Sequence, residues 1–288
     1  MINLEFVLYI AIFILLWAVA VAFYGVVSSI MPKRYVSATT PADFNMSYEN
    51  VTIKTSDGIK LSAWFIPNKK TDSAVIICHG YPFDKGNVLE FASFLNRKYN
   101  VLMFDFRAMG KSGGLYTSGG YHERKDLIAA INYLKNERSI KRIGVFGFSL
   151  GGSVAIMTAG LTEDIKAVVA DSPTASLEFV VEEMYKQFSI FKSPFVFMTK
   201  LIGKIFFGID VSEVSAAKSA KNMKSALLLI HGDADRTVDI KESKMIYESA
   251  HEPKELWIVK GATHGQAYSV MGKKYEEKVL SFFDKYLR

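Results

Sequence analysis

The first strong pattern in the chain is an unbroken one. From Phe6 to Ile30 no side chain is charged; the segment holds apolar residues with a few Tyr, Trp, Gly and Ser. As a helix rising about 1.5 Å per residue it would extend some 37 Å, enough to cross a hydrocarbon core of about 30 Å with tilt. Residues 1–31 are therefore expected to form a transmembrane anchor, and residues 32–48, with Pro32, Pro41, Ser and Thr, a short linker. A cleaved signal is the rival; it calls for a basic start and a shorter apolar stretch, whereas this chain starts Met1-Ile2-Asn3-Leu4-Glu5. Lys33 and Arg34 follow the apolar run and no Lys or Arg precedes it, so the positive-inside rule puts the remainder in the cytoplasm, on a single-pass membrane protein.

Beyond residue 49 the pattern changes twice. Val51–Thr55 and Ile59–Ile66 alternate with period two around Ser56-Asp57-Gly58, which predicts a hairpin. Then come short apolar runs at Ala74–Cys78, Val101–Phe106, Ile143–Phe146, Ala167–Ala170, Ala226–Ile230 and Leu256–Val259, as expected of strands covered on both faces. Helical patterns lie between them, at Val88–Lys98, Glu123–Glu137, Gly151–Gly160, Lys241–Ser249 and Lys274–Tyr286. This alternation predicts an α/β fold in residues 49–288, with a mostly parallel central sheet flanked by helices. Pro173–Met223 breaks the rhythm, is helical in pattern and rich in Phe, and is expected to be a cap inserted over the active edge of the sheet. Within it Phe195, Met198, Ile202, Ile205 and Phe206 are expected to share one apolar helix face, with Lys200 and Lys204 opposite.

Composition narrows the picture. The 288 residues are 50% hydrophobic and 22% charged, enough for one sizeable core. The formal net charge of +6 suits an anionic membrane surface, but no basic tract interleaved with aromatics suggests nucleic acid. The single cysteine, Cys78, excludes an intrachain disulfide and sits in an apolar run, and no Cys/His spacing suggests a metal site. No cofactor is expected.

The chemistry sits where strands end. Gly147-Phe148-Ser149-Leu150-Gly151-Gly152 follows one strand and opens a helix, the setting in which a Gly-x-Ser-x-Gly turn lifts a serine above the sheet. The Leu150 N–H at the new helix start is a donor suited to an oxyanion, and the Tyr81 N–H after His79-Gly80 is a second. His231-Gly232-Asp233-Ala234-Asp235 and Gly261-Ala262-Thr263-His264-Gly265 end two later strands. In a parallel sheet these ends share one edge, so a serine, an acid and a base converge there. A serine hydroxyl needs an imidazole to take its proton, and the imidazole needs a carboxylate to fix its tautomer. Asp171, at another strand end, competes for the acid. His79 is expected to be structural, and His122, His231 and His251 to be surface or loop residues.

These motifs, together with Asp105-Phe106-Arg107-Ala108-Met109-Gly110-Lys111-Ser112-Gly113-Gly114 and Asp171-Ser172-Pro173, resemble the α/β-hydrolase superfamily, in particular its esterase, monoacylglycerol-lipase-like and serine-aminopeptidase-like branch. The resemblance covers residues 50–288. It implies Ser149 as nucleophile, His264 as base and Asp235 as acid, and a serine hydrolase acting on a carboxylic ester or thioester, with a small-molecule or lipid ester as substrate. Amide or peptide hydrolysis by the same residues, or a non-catalytic membrane scaffold of the same fold, are the alternatives. Where the family's turn has glycine, this chain has Ala108.

Overall fold

The computed structural model describes residues 3–288. Its centre is an eight-stranded sheet: β1 (Glu49–Lys54), β2 (Lys60–Ile66), β3 (Ser73–Cys78), β4 (Asn100–Phe104), β5 (Arg142–Phe148), β6 (Ile165–Asp171), β7 (Ala226–Gly232) and β8 (Lys254–Val259). The spatial order is β1-β2-β4-β3-β5-β6-β7-β8. β1 and β2 form the expected hairpin, and β2 also runs antiparallel to β4; the remaining pairs are parallel. Ten α-helices accompany them: α1 (Leu4–Ile30), α2 (Leu89–Leu95), α3 (Glu123–Arg138), α4 (Leu150–Ala159), α5 (Leu177–Met184), α6 (Lys192–Phe207), α7 (Ala216–Ala220), α8 (Ile240–Ser249), α9 (Ala267–Met271) and α10 (Lys273–Tyr286).

Period two explains why the strand runs look uniformly apolar. Ala74, Ile76 and Cys78 of β3 point into a core layer shared with α3, α4 and α8, while Val75 and Ile77 point into the opposite layer, shared with α2 and α10. Because successive side chains face opposite sides, both sets must be apolar. The Pro173–Met223 insertion carries α5, α6 and α7. Of these, α7 belongs to the first core layer through Ala216 and Ala220. α5 and α6 instead form a third cluster, in which Val181, Tyr185, Phe195 and Ile202 pack with Ala22 and Val26 of α1.

α1 is thus of two characters. Its large side chains from Phe6 to Trp17 are exposed, while Ala18, Val21, Ala22 and Val26 pack on the insertion. Its last turn is tied to the domain: the Ile30 carbonyl accepts from the Thr117 N–H at 2.8 Å, and the Ser29 carbonyl from the Tyr81 hydroxyl at 2.9 Å. Arg34 then donates to the carbonyls of Gly110, Ser112 and Gly114, and the Ser37 N–H donates to Asp84.

The α6 face expected from the sequence is divided. Phe195 and Ile202 are buried against α1 and α5, whereas Ile205 and Phe206 are exposed, in company with Phe197 and Leu201. Lys200 pairs with Glu178 and Lys204 with Asp210.

Candidate active site

The turn between β5 and α4 is built by what it lacks. A Cβ on Gly147 would lie 2.3 Å from the Gly151 carbonyl oxygen, and one on Gly151 would lie 2.2 Å from that of Cys78. Only glycine lets strand and helix come this close. Between them Ser149 takes φ 51°, ψ −119°, a conformation costly for a residue with a side chain, held in part by its N–H donating to the Asp171 carbonyl at 2.8 Å. The strain sits on the residue whose hydroxyl must be presented above the sheet.

His264, in the turn after β8, reaches that hydroxyl. Its Nε2 is 3.1 Å from Ser149 Oγ, and its Nδ1 is 2.7 Å from Asp235 Oδ2. A carboxylate only accepts, so Nδ1 carries the proton and the Nε2 lone pair faces the serine. Asp235 is itself fixed: its Oδ1 accepts from the backbone N–H groups of Thr237 and Val238 at 2.8 and 3.0 Å. Burial pushes the Asp235 carboxyl up, but the hydrogen bonds from His264 and the two backbone N–H groups outweigh it and hold the pKa below the ordinary carboxylate value.

Asp171 is not part of this line. Its carboxylate accepts from Tyr275 Oη at 2.7 Å and Ser172 Oγ at 2.8 Å, and burial raises its pKa. Leu150 follows Ser149 in the chain and Gly80, next to Tyr81, lies against the Ser149 side chain; among the described residues the N–H groups of Tyr81 and Leu150 have no backbone acceptor.

His231 corrects the sequence expectation. It is neither a surface nor a loop residue but a fully buried member of β7, with Nε2 donating to the Val238 carbonyl at 3.0 Å and Nδ1 accepting from Ser243 Oγ at 2.7 Å. It braces the loop that carries Asp235. The apolar run Ala226–Ile230 signals a strand, and one further residue in that strand buries this histidine. His79 is structural as expected: its Nε2 accepts from the Phe106 N–H, its Nδ1 donates to the Gly80 carbonyl, and burial depresses its pKa. Asp105 pairs with the buried Lys85, and Arg107 with Asp126 and Asp57. Ala108 adopts φ 59° and its N–H still closes the turn onto the Gly113 carbonyl, so the glycine departure leaves the turn formed.

Sequence reasoning passed over Phe148. Its ring lies 5.2 Å from the His264 ring, and side chains added at Gly80 or Gly265 would strike it at 3.0 and 2.8 Å. One aromatic ring therefore spaces the Tyr81 turn, the Ser149 turn and the His264 turn. Two surface grooves around Asn68–Asp72 lie away from this site, at the edge where the parallel strands begin.

Comparison with known proteins places this geometry. Residues 87–288 match the Prolyl oligopeptidase family. The uncharacterized protein YfhR of Escherichia coli O157:H7 is 31% identical over 247 residues, 82% of this chain and 80% of that one, and YqkD of Bacillus subtilis is 27% identical over 237 residues, 81% and 78%. Among solved structures, the esterase Pf2001 of Pyrococcus furiosus superposes with a TM-score of 0.75 at 34% identity, covering 89% of this chain and all of that one. An esterase from Exiguobacterium antarcticum, at 17% identity and a TM-score of 0.60, shares the fold. With a serine on a strained strand-to-helix turn, a mostly parallel sheet beneath it and this match over most of its length, the chain belongs to the prolyl oligopeptidase family of α/β-hydrolases, enzymes of the serine-hydrolase type.

Proposed function

We propose that the protein hydrolyses a carboxylic ester or thioester through an acyl-Ser149 intermediate. The observation that carries this is the unbroken line from Ser149 Oγ to His264 to Asp235, at 3.1 and 2.7 Å. As Oγ attacks the acyl carbon, His264 Nε2 takes its proton, and Asp235 stabilises the imidazolium that results. The N–H groups of Tyr81 and Leu150 hold the oxyanion. Collapse breaks the bond to the alcohol or thiol, which leaves with the proton from His264. Water then attacks the acyl group with neutral His264 as base, the acid departs, and Ser149 regains its proton.

Similarity to an esterase at 34% identity favours esters, whereas the family name keeps amide or peptide hydrolysis as the second reading. α1 is proposed to anchor the protein in a membrane by a single pass, with Lys33 and Arg34 placing the catalytic domain on the cytoplasmic side. Its packing on α5 and α6 supports a retained helix over a removable leader, since removal would uncover the apolar cluster.

The test is active-site labelling of the detergent-solubilised full chain with a fluorophosphonate, followed by rates on matched acyl esters, thioesters and dipeptide amides. Labelling at Ser149 and ester turnover that falls by about 10⁶-fold in Ser149→Ala are expected. A folded protein that resists labelling would be a scaffold of the same fold. Faster cleavage of amides than of esters would move the enzyme to peptides.

A further inference from the structure

We infer that α6 is a second membrane-embedded element, lying in the leaflet beside α1 so that the insertion is seated in lipid. This rests on the proposal that α1 spans the bilayer, and it follows from a length that does not close otherwise. The part of α1 free of the domain, Phe6–Trp17, rises about 18 Å, while a hydrocarbon core of about 30 Å takes roughly 20 residues. Counting from Phe6, the core extends to around Gly25. That stretch contains Ala18, Val21 and Ala22, the residues on which α5 and α6 pack. The insertion therefore enters the apolar layer by about 10 Å, the depth at which interfacial helices lie.

The outward face of α6 fits that solvent. Phe197, Leu201 and Ile205, spaced four residues apart, are 66%, 45% and 65% exposed, and Phe206 is 66% exposed. A helix in water puts charge on this stripe. The stripe also continues the exposed surface of α1, because Phe206 meets Phe23 edge to face at 5.9 Å. Each cation of α6 is held in an ion pair, Lys192 with Glu182 and Lys200 with Glu178 on the α5 side and Lys204, at the edge of the stripe, with Asp210. The occupant of the face is thus the bilayer, and substrate for Ser149 would be drawn from the leaflet in which α6 lies.

The experiment uses the full chain in phosphatidylcholine and phosphatidylglycerol vesicles. Cys78 is fully buried, so a thiol-reactive fluorophore can be directed to Leu201→Cys, Ile205→Cys, Phe13→Cys on α1 and the exposed Lys141→Cys on the opposite edge of the sheet. Nitroxide-bearing lipid is expected to quench the labels at 201, 205 and 13 several-fold more than the label at 141, with iodide in the ordered reverse. If the 201 and 205 labels behave like the one at 141 while the label at 13 is quenched by lipid, the inference falls and the anchor stands. If the label at 13 also faces water, both fall. Labels at 201 and 205 that are shielded from iodide without lipid quenching, with cross-linked dimers, would show a second copy covering the face and overturn the inference.

Discussion

Ala74–Cys78 of β3 and Phe6–Trp17 of α1 are both unbroken apolar runs, and the structure treats them in opposite ways. From Ala74 to Cys78 every side chain is fully buried, alternately in one core layer and the other. In the first half of α1 the large apolar side chains are exposed, up to 70% at Phe13. The difference teaches that an apolar run names a solvent, not a location: protein interior for the strand and, on the proposal that α1 is an anchor, lipid for the helix. The catalytic edge belongs to the first regime, where backbone geometry fixes each group. The α1–α5–α6 cluster is of another kind: it packs Ala22, Val26, Val181, Phe195 and Ile202 together while Phe13, Phe197 and Ile205 stay exposed.

The largest effect that can test this division lies at the fixed edge. Asp235→Asn should lower ester turnover by about 10⁴-fold by disturbing the His264 tautomer, while Asp171→Asn, which touches Tyr275 and Ser172 and not His264, should cost far less in kcat. Rates of the two purified variants decide it, and the reverse ranking would move the acid to Asp171. Next comes stability. Ile76→Ala should destabilise by about 2–5 kcal/mol because it empties a fully buried site, whereas Phe197→Ala should change stability in detergent by no more than about 0.5 kcal/mol. Equal losses by denaturant titration would mean that α6 is covered by protein after all.

The smallest effect is at the seam. Glu242 of α8 accepts the Ala175 N–H at 2.9 Å, tying the acid-bearing side of the sheet to the start of the insertion. Burial raises its pKa to about 7, above its value in the unfolded chain. Its contribution to stability is therefore complete below the ordinary carboxylate range and is lost as pH rises through about 7. Glu242→Gln should flatten the fall in Tm over that interval; an unchanged slope would show that other groups set it.

The sequence made the sheet, its hairpin and the convergence of Ser149, Asp235 and His264 legible because strand-end chemistry needs only strand order and local turns. What it hid depends on contacts between distant segments. Phe148 is an unspecified position of its motif, and its role comes from Gly80 and Gly265 leaving room for one ring. His231 looked like part of a loop because the loop it braces follows it directly. The expected α6 face divides because apolar residues go almost all the way round the helix, and periodicity cannot separate a face packed on α1 from one left bare. Arg34 looked like a topology signal alone, although in the structure it also binds three carbonyls of the Gly110–Gly114 turn.

Those contacts of Arg34, with the Tyr81 hydroxyl on Ser29 and the Thr117 N–H on Ile30, turn the passage from helix to domain into a strut. An enzyme on a leash sweeps a hemisphere and meets any bond that diffuses through it. An enzyme on a strut, with α1 in a bilayer as proposed, would hold its nucleophile at one altitude over it. For a lipid hydrolase built this way, choice among substrates becomes a matter of how deep the scissile carbonyl rides, so that two esters with identical acyl chains but head groups of different height would be told apart without any pocket reading either one.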